Sequence, residues 1–278
     1  MTWLLVIGGV LLLGAILYWQ LILAEGAYLG RRAVIWLYDA SARIYDRVKS
    51  FDPGYEQWFL GLPLSRALAL VNDPLVLDVA TGTGRLPRTL FAQSSFRGRL
   101  IGVDLSLRML KQAVETTAAW RDRVTYLWHG AGELPFEDAT FDAVACLEAL
   151  EFMPNQERVL QEMARVLRPG GVFLITNRIG ANARWLPGRT SSTEAFVEKL
   201  RALPLEMIRP QPWQADYDLI WAVKPGVPDG PPSLRRLAEI LRCPHCGAEV
   251  HPQKEGAGLA CENGHVLPRT DEGIVKLV

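Results

Sequence analysis

The sequence predicts an α/β protein: a doubly wound, mostly parallel sheet of seven strands, preceded by one apolar membrane helix and followed by a small cysteine-rich module. Three observations carry the prediction. From Leu75 onward, short apolar runs alternate with amphipathic stretches of helix length. The stretch Trp3–Leu23 (WLLVIGGVLLLGAILYWQLIL) holds no charge, and Gln20 is its one clearly polar side chain. Three of the four cysteines, Cys243, Cys246 and Cys261, cluster near the C-terminus, apart from Cys146. The chain has 278 residues, of which 49% are hydrophobic, so it exceeds one average domain and has ample material for a core. Thirty basic and thirty acidic residues balance, which argues against a chain built to neutralise phosphates.

A helix of about 20 residues, at about 1.5 Å rise each, spans the hydrocarbon core of a bilayer. Trp3 at one end and Tyr18 and Trp19 at the other suit its interfacial aromatic belts. A cleaved signal peptide needs a basic start and a shorter apolar run. Met1-Thr2 supplies no base, so a single-pass anchor over residues 1–24 is expected. Arg31, Arg32, Arg43, Arg47 and Lys49 all follow the span, which puts the N-terminus outside and the remainder in the cytoplasm. The thiols there stay reduced unless metal-bound.

Residues 25–72 are rich in helix formers and aromatics, broken by the turn Asp52-Pro53-Gly54; most of these aromatics read as packing, a minority as pocket lining. Strands are expected at 75–79, 99–103, 124–128, 141–147, 171–177, 205–209 and 217–223, the last two antiparallel at an edge. Helices are expected near 85–94, 106–119, 155–167 and 191–202, giving right-handed crossovers. The main domain then spans 25–224. The proline-rich stretch Lys224–Ser233 marks a linker over 225–241, and the cysteine-rich module occupies 242–278.

The chain is organised around Val76-Leu77-Asp78-Val79-Ala80-Thr81-Gly82-Thr83-Gly84-Arg85, a buried strand leading through a glycine turn into a helix. Such a turn offers free backbone N–H groups and a positive helix end to a ligand. The next strand ends in Asp104, about 20 residues on, where a carboxylate accepts ribose hydroxyls. That arrangement serves dinucleotides and S-adenosylmethionine alike. The order Asp-x-x-x-Gly-x-Gly lacks the third glycine of the dinucleotide fingerprint, and Asp78 suits a cationic sulfonium or ammonium group by charge.

The blocks VLDVATGTGR, VDLSLRML (103–110), ELPFEDATFDAV (133–144) and VLQEMARVLRPGGVFLIT (159–176) together resemble class I S-adenosylmethionine-dependent methyltransferases with a Rossmann-like sheet. Their spelling is closest to the ubiquinone/menaquinone-biosynthesis type, and the resemblance covers about 40–223. It implies that Asp78, Ala80, Thr81, Gly82 and Gly84 cradle the amino-acid end of the cofactor and that Asp104 binds its ribose. It further implies that Leu105 and Met109 pack around the adenosine, Ala131 and Gly132 lie beside adenine, and Cys146 sits near the methionine moiety. Ala80 stands where many relatives have a glycine, and Gly130 where they often have an acid or amide. Asp78 and Asp104 resist a packing explanation because buried carboxylates need partners. Met109 and Cys146 read equally well as core.

Methyl transfer from a sulfonium is an in-line displacement that demands positioning, and a base only where the acceptor must lose a proton. No catalytic residue is assigned by the sequence. Glu151 and Glu148, after the fourth strand, are the candidates for base or orienting group, against a bland role as caps or ion pairs of the following helix. His129 falls at a strand end near the adenine side. The anchor favours a lipid-soluble acceptor, such as a quinone precursor or another isoprenoid.

Cys243-Pro-His-Cys246 with Cys261-Glu-Asn-Gly-His265 supplies two ligand pairs that close a tetrahedral, structural Zn(2+) site. The segment 242–278 resembles zinc ribbons at the terminus of some ribosomal-RNA guanine methyltransferases and in methyltransferase-activator proteins. That raises a second reading, methylation of RNA or protein with the ribbon as recognition element or partner site. A third is a scaffold that binds cofactor without turnover.

Overall fold

The computed structural model describes residues 2–227, 236–253 and 258–278; most of the proline-rich linker, 228–235, lies outside the described residues. Helix α1 (Thr2–Tyr18) runs on through a wider π-turn at Trp19–Leu23. The 22-residue stretch Thr2–Leu23 contains an 18-residue window of mean hydropathy 2.2, and residues 2–18 are all exposed. At about 1.5 Å per residue it is long enough to cross a bilayer. Its foot is different. Gln20, Ala24 and Ala27 are buried, and Ala24 and Ala27 pack with Phe152 and Leu186 of the main domain. The Trp19 indole donates to the Trp185 carbonyl at 2.9 Å, and the Arg189 guanidinium donates to the Ala27 carbonyl at 2.8 Å.

Four short helices follow: α2 (Arg31–Ser41), α3 (Tyr45–Lys49), α4 (Pro53–Glu56) and, past a second π-turn, α5 (Leu62–Ala67). Then come β1 (Leu75–Val79), α6 (Arg85–Phe91), β2 (Arg99–Asp104), α7 (Leu107–Thr116), β3 (Val124–Trp128) and β4 (Phe141–Cys146). The domain continues with α8 (Gln156–Val166), β5 (Leu167–Arg178), α9 (Gly180–Ala183), α10 (Thr193–Arg201), β6 (Glu206–Trp213) and β7 (Tyr217–Val223). Ser106, Asn155 and Ser192 cap α7, α8 and α10 by accepting the N–H three residues on, which fixes where each helix starts.

These seven strands lie in the order β3-β2-β1-β4-β5-β7-β6. β1 through β5 are parallel; β7 pairs antiparallel with both β5 and β6. The strand order reverses between β2-β1 and β4, the place where open α/β sheets bind ligands. β5 begins earlier than the sequence indicates, because Leu167 pairs with Phe141 across an irregularity in β4. One face of the sheet packs Phe141, Phe173, Leu160 and Met163; the other packs Leu60, Leu64, Leu90 and Trp213.

The C-terminal segment is built into this sheet. After α11 (Leu237–Ile240) come three short antiparallel strands, β8 (Val250–Pro252), β9 (Gly258–Cys261) and β10 (Val266–Pro268). A further strand, β11 (Val275–Lys276), then pairs parallel with β3 and makes the sheet eight-stranded. This addition was not visible in the sequence, where two apolar residues in a tail carry no strand signal. Arg242 donates its N–H to the Pro135 carbonyl at 2.8 Å, and Leu277 donates to the Trp128 carbonyl at 3.1 Å. Ile274, Val275 and Leu277 are buried. Ile274→Ala is therefore expected to destabilise the protein by about 2–5 kcal/mol, the range for truncating a fully buried aliphatic side chain, as measured by denaturant unfolding.

Candidate functional site

β1 leaves the sheet through Ala80, whose φ of +57° lies in the left-handed region that favours glycine. Gly82 and Gly84 follow at +55° and +82°. At Gly84 a Cβ would also meet the Tyr126 hydroxyl at 3.1 Å, so the turn packs against β3 and α7 as closely as a glycine permits. Gly82 has open space where a side chain would stand, and its N–H donates to Asp104 Oδ2 at 2.8 Å. Asp104 Oδ1 accepts from Ser106 N–H at 2.8 Å. The one carboxylate thus ties the glycine turn to the loop opening α7. Each of its oxygens keeps a lone pair for a further donor.

A cavity of about 300 Å³ opens at the carboxyl ends of β1, β2 and β4. Ala80, Gly82, Asp104, Leu105, Ala131, Gly132, His129 and Glu148 line it. Trp128 steadies this wall by donating its indole N–H to the Leu105 carbonyl at 2.9 Å. The roof is Arg31, Val34, Ile35 and Tyr38 of α2 with Tyr45 of α3, and Phe152 and Met153 close the side toward the foot of α1. These roof residues were not individually legible in the sequence, although the spacing of Arg31, Val34/Ile35 and Tyr38 marks one helical face.

Other expected positions lie outside the cavity lining. Asp78 is buried beneath the turn and accepts the Thr81 hydroxyl at 2.5 Å, while Gly84 packs behind it. Met109, whose backbone N–H donates to the capping Ser106 hydroxyl at 3.1 Å, has its side chain buried. Cys146 ends β4 within the main core cluster, where burial holds its thiol well above the usual range. Both are buried behind the cavity wall. Burial also pushes Asp78 up to about 7 and Asp104 up to about 6. His129 is held below its usual value by burial, and its Nε2 meets the Glu133 carbonyl at 2.9 Å.

The two carboxylate candidates separate. Glu148 lines the cavity but is held by Arg85 Nη1 at 2.5 Å and Lys49 Nζ at 3.3 Å. Those cations outweigh burial and lower its pKa, fixing it as a carboxylate. Arg85 is itself gripped by both oxygens of buried Glu56, at 2.6 and 2.8 Å, and lies between the Phe51 and Trp213 rings. Glu151 is turned away from the cavity, accepting the Tyr217 hydroxyl at 2.7 Å beside Arg178. Both are ion-paired, as the bland reading holds, yet across the fold and not with the following helix.

The C-terminal ligand set converges. Atoms of Cys243, Cys246, Cys261 and His265 lie within 4.8 Å of one another. Cys246 Sγ to Cys261 Sγ is 3.8 Å, and His265 Nδ1 lies 3.3 and 3.6 Å from Cys261 and Cys243. Four ligands about 2.0–2.3 Å from a tetrahedral zinc would be spaced on this scale. Asn263 Nδ2 and the His265 N–H approach the sulfurs of Cys246 and Cys261 at 3.3 Å, as expected of thiolates needing donors. A larger groove, about 1110 Å³, runs between this module and residues 133–142. Arg165, Arg168 and Arg242 in it are each paired with carboxylates, so it presents compensated charge.

Residues 77–175 match the family model described as a methyltransferase domain. A demethylmenaquinone methyltransferase of Symbiobacterium thermophilum is 42% identical over 101 residues, 36% of this chain and 40% of that protein. A ubiquinone/menaquinone biosynthesis C-methyltransferase of Syntrophotalea carbinolica is 35% identical over 142 residues, 50% of this chain and 58% of that protein. The chain thus spans about half the length of the curated relatives it matches. Among solved structures, a SAM dependent methyltransferase from Aquifex aeolicus superposes with a TM-score of 0.53 at 18% identity, covering 67% of this chain and 98% of that one. The fold is the Rossmann-like methyltransferase fold.

The raised carboxylates make a signed prediction. Both favour the protonated form in the folded, ligand-free protein, so the stability they supply is complete below the unfolded carboxylate value near ~4 and is lost as pH rises through about 6 to 7. Thermal unfolding of the ligand-free protein should therefore show a falling midpoint across that window. Asp78→Asn should flatten it.

Proposed function

We propose that this chain, whose residues 77–175 carry a methyltransferase domain, transfers a methyl group from S-adenosylmethionine to a small lipid-soluble acceptor at the cytoplasmic face of a membrane. The observation that carries the reading is the position of the cavity. It lies at the switch point of the sheet, with the Asp104-bridged glycine turn on one side, and on the other Phe152, which packs against the foot of α1. The donor side is polar backbone with one carboxylate. The roof and the Phe152 side are mostly apolar and aromatic. That division suits a charged cofactor and a greasy acceptor. The relatives' names supply the acceptor class, a quinone precursor of the demethylmenaquinone kind.

In this reading Gly82 and Ala80 let the cofactor's amino-acid end approach the backbone, Asp104 accepts its ribose hydroxyls, and Leu105, Ala131 and Gly132 flank its adenine. Asp78, beneath the cationic end, would be drawn to its ionised form by the bound cation and lend it negative charge. Thr81, Gly84, Met109 and Cys146 hold these groups from behind. Methyl transfer then depends chiefly on holding the acceptor in line with the methyl carbon, worth up to about 7–11 kcal/mol in favourable cases. Glu148, fixed as an anion on the cavity wall, orients the acceptor or takes its proton. The four-ligand set would hold one structural zinc, tying residues 243–265 together next to β11.

Three results test this. S-adenosylmethionine should bind the full chain in detergent, and Asp104→Asn should weaken it about 10- to 100-fold by calorimetry, the scale of a lost hydrogen bond to a charged group. Methyl-labelled cofactor incubated with membrane lipid extract should leave label in the organic phase. Label in RNA or protein would favour the second reading; binding without S-adenosylhomocysteine formation would favour the scaffold. Elemental analysis should find one zinc per chain, and chelation should lower the unfolding temperature.

A further inference from the structure

The roof helices have two opposed faces. Inward, α2 and α3 present the cavity lining and all of their acids. Asp39 accepts from Ser106 Oγ at 2.5 Å and from Arg108 N–H at 3.2 Å. Asp46 accepts from Thr83 Oγ1 and from Arg88 Nη1, each at 2.5 Å. Glu25, just before them, accepts the Tyr38 hydroxyl at 2.8 Å. Outward, the exposed side chains are of two kinds only, apart from one alanine and one serine. Large apolar groups stand at Leu29, Trp36 (64% exposed), Ile44 and Val48 (70%), and arginines at positions 32, 43 and 47, while Arg31, also exposed, stands at the rim of the cavity that it lines. From residue 29 to residue 51 no exposed residue is acidic. The chain as a whole carries a net charge of zero, so this is a local segregation.

We infer that this outward face of α2 and α3 lies on an anionic phospholipid surface, as a second membrane contact beside α1. The inference rests on the reading of α1 as a membrane span. Three features select a bilayer as the occupant. The face begins at Leu29, only five residues beyond Ala24, where the chain emerges from the foot of α1. That foot is packed into the domain by buried Ala24 and Ala27 and by Trp19, so the distance between α1 and the face cannot grow by unreeling a linker. The composition, arginine interleaved with tryptophan and aliphatic side chains and free of acid, is that of a helix lying in the headgroup layer. Since the other side of α2 roofs the cavity, docking would set the roof between the cofactor site and the lipid from which the acceptor comes.

The test uses the full chain reconstituted in vesicles of phosphatidylcholine with or without phosphatidylglycerol, each made with bromine-labelled acyl chains that quench tryptophan. The contribution of Trp36 is isolated as the difference from Trp36→Phe. Quenching of Trp36 is expected in vesicles carrying phosphatidylglycerol, and its loss in the variant Arg32→Glu/Arg43→Glu/Arg47→Glu. S-adenosylmethionine binding in the same samples reports that this variant is folded. A chain that floats with the vesicles while Trp36 stays unquenched overturns the inference and leaves the anchor standing. The same result with Trp36 shielded in cross-linked dimers assigns the face to a second copy and overturns it equally. Failure to float at all overturns the anchor reading on which the inference rests.

Discussion

The guanidinium of Arg85 is the group on which three separate parts of the chain converge. It belongs to α6, directly after the glycine turn, and is gripped by Glu56 from α4 and by Glu148 from the loop after β4. The Phe51 and Trp213 rings pack against it, their centres 4.0 and 4.5 Å from its central carbon. Buried charge is costly unless paired, and breaking such a set by removing one member is strongly destabilising. Here two carboxylates, Arg85 and the partly exposed Lys49 compensate one another. The arrangement holds the N-terminal helices against the sheet at the rim of the cavity. It also explains why Glu148 tolerates a left-handed φ of +51°, since its side chain is held from two sides.

The sheet was legible in the sequence because parallel strands buried on both faces read as continuous apolar runs. β1, β3 and β7 occupy the residues expected of them, and β2 and β4 differ by one residue at an end. β5 and β6 differ more, for tertiary reasons: Leu167 of β5 finds Phe141, and β6 extends to Trp213 because Tyr217 pairs with it across a short hairpin. The site was legible where chemistry forces an unusual residue. Asp78 and Asp104 stand at strand ends inside apolar runs, and the structure gives each a specific donor. Ala80, in a glycine-like conformation, bears the mark of the motif through its backbone.

What stayed hidden depends on docking between distant segments. Nothing local tells that Tyr38 and Tyr45 look into a cavity while Trp36 and Val48 look out, or that Asp39 and Asp46 seat on the loop opening α7 and on the glycine turn. Met109 and Cys146, which match the motif, are buried behind the cavity wall and do not line it. The convergence of Cys243, Cys246, Cys261 and His265 was legible in their spacing, since two pairs on two turns are a local matter. The insertion of the C-terminal module into the sheet edge through β11 was not. β11 pairs with Leu127 and Trp128, so the carboxyl end of the β3 edge, beside the cavity, is covered from within.

The buried foot of α1 has a consequence for how such a molecule would search. An anchor on a loose tether lets a domain tumble and meet its acceptor from any direction. Here Trp19, Ala24 and Ala27 are part of the domain's own packing, so the helix axis and the cavity mouth turn together. Held in a bilayer, the mouth would sweep a plane at constant height and attitude. Encounter with a lipid-borne acceptor would then become a two-dimensional problem, in which lateral diffusion alone brings the partners into register.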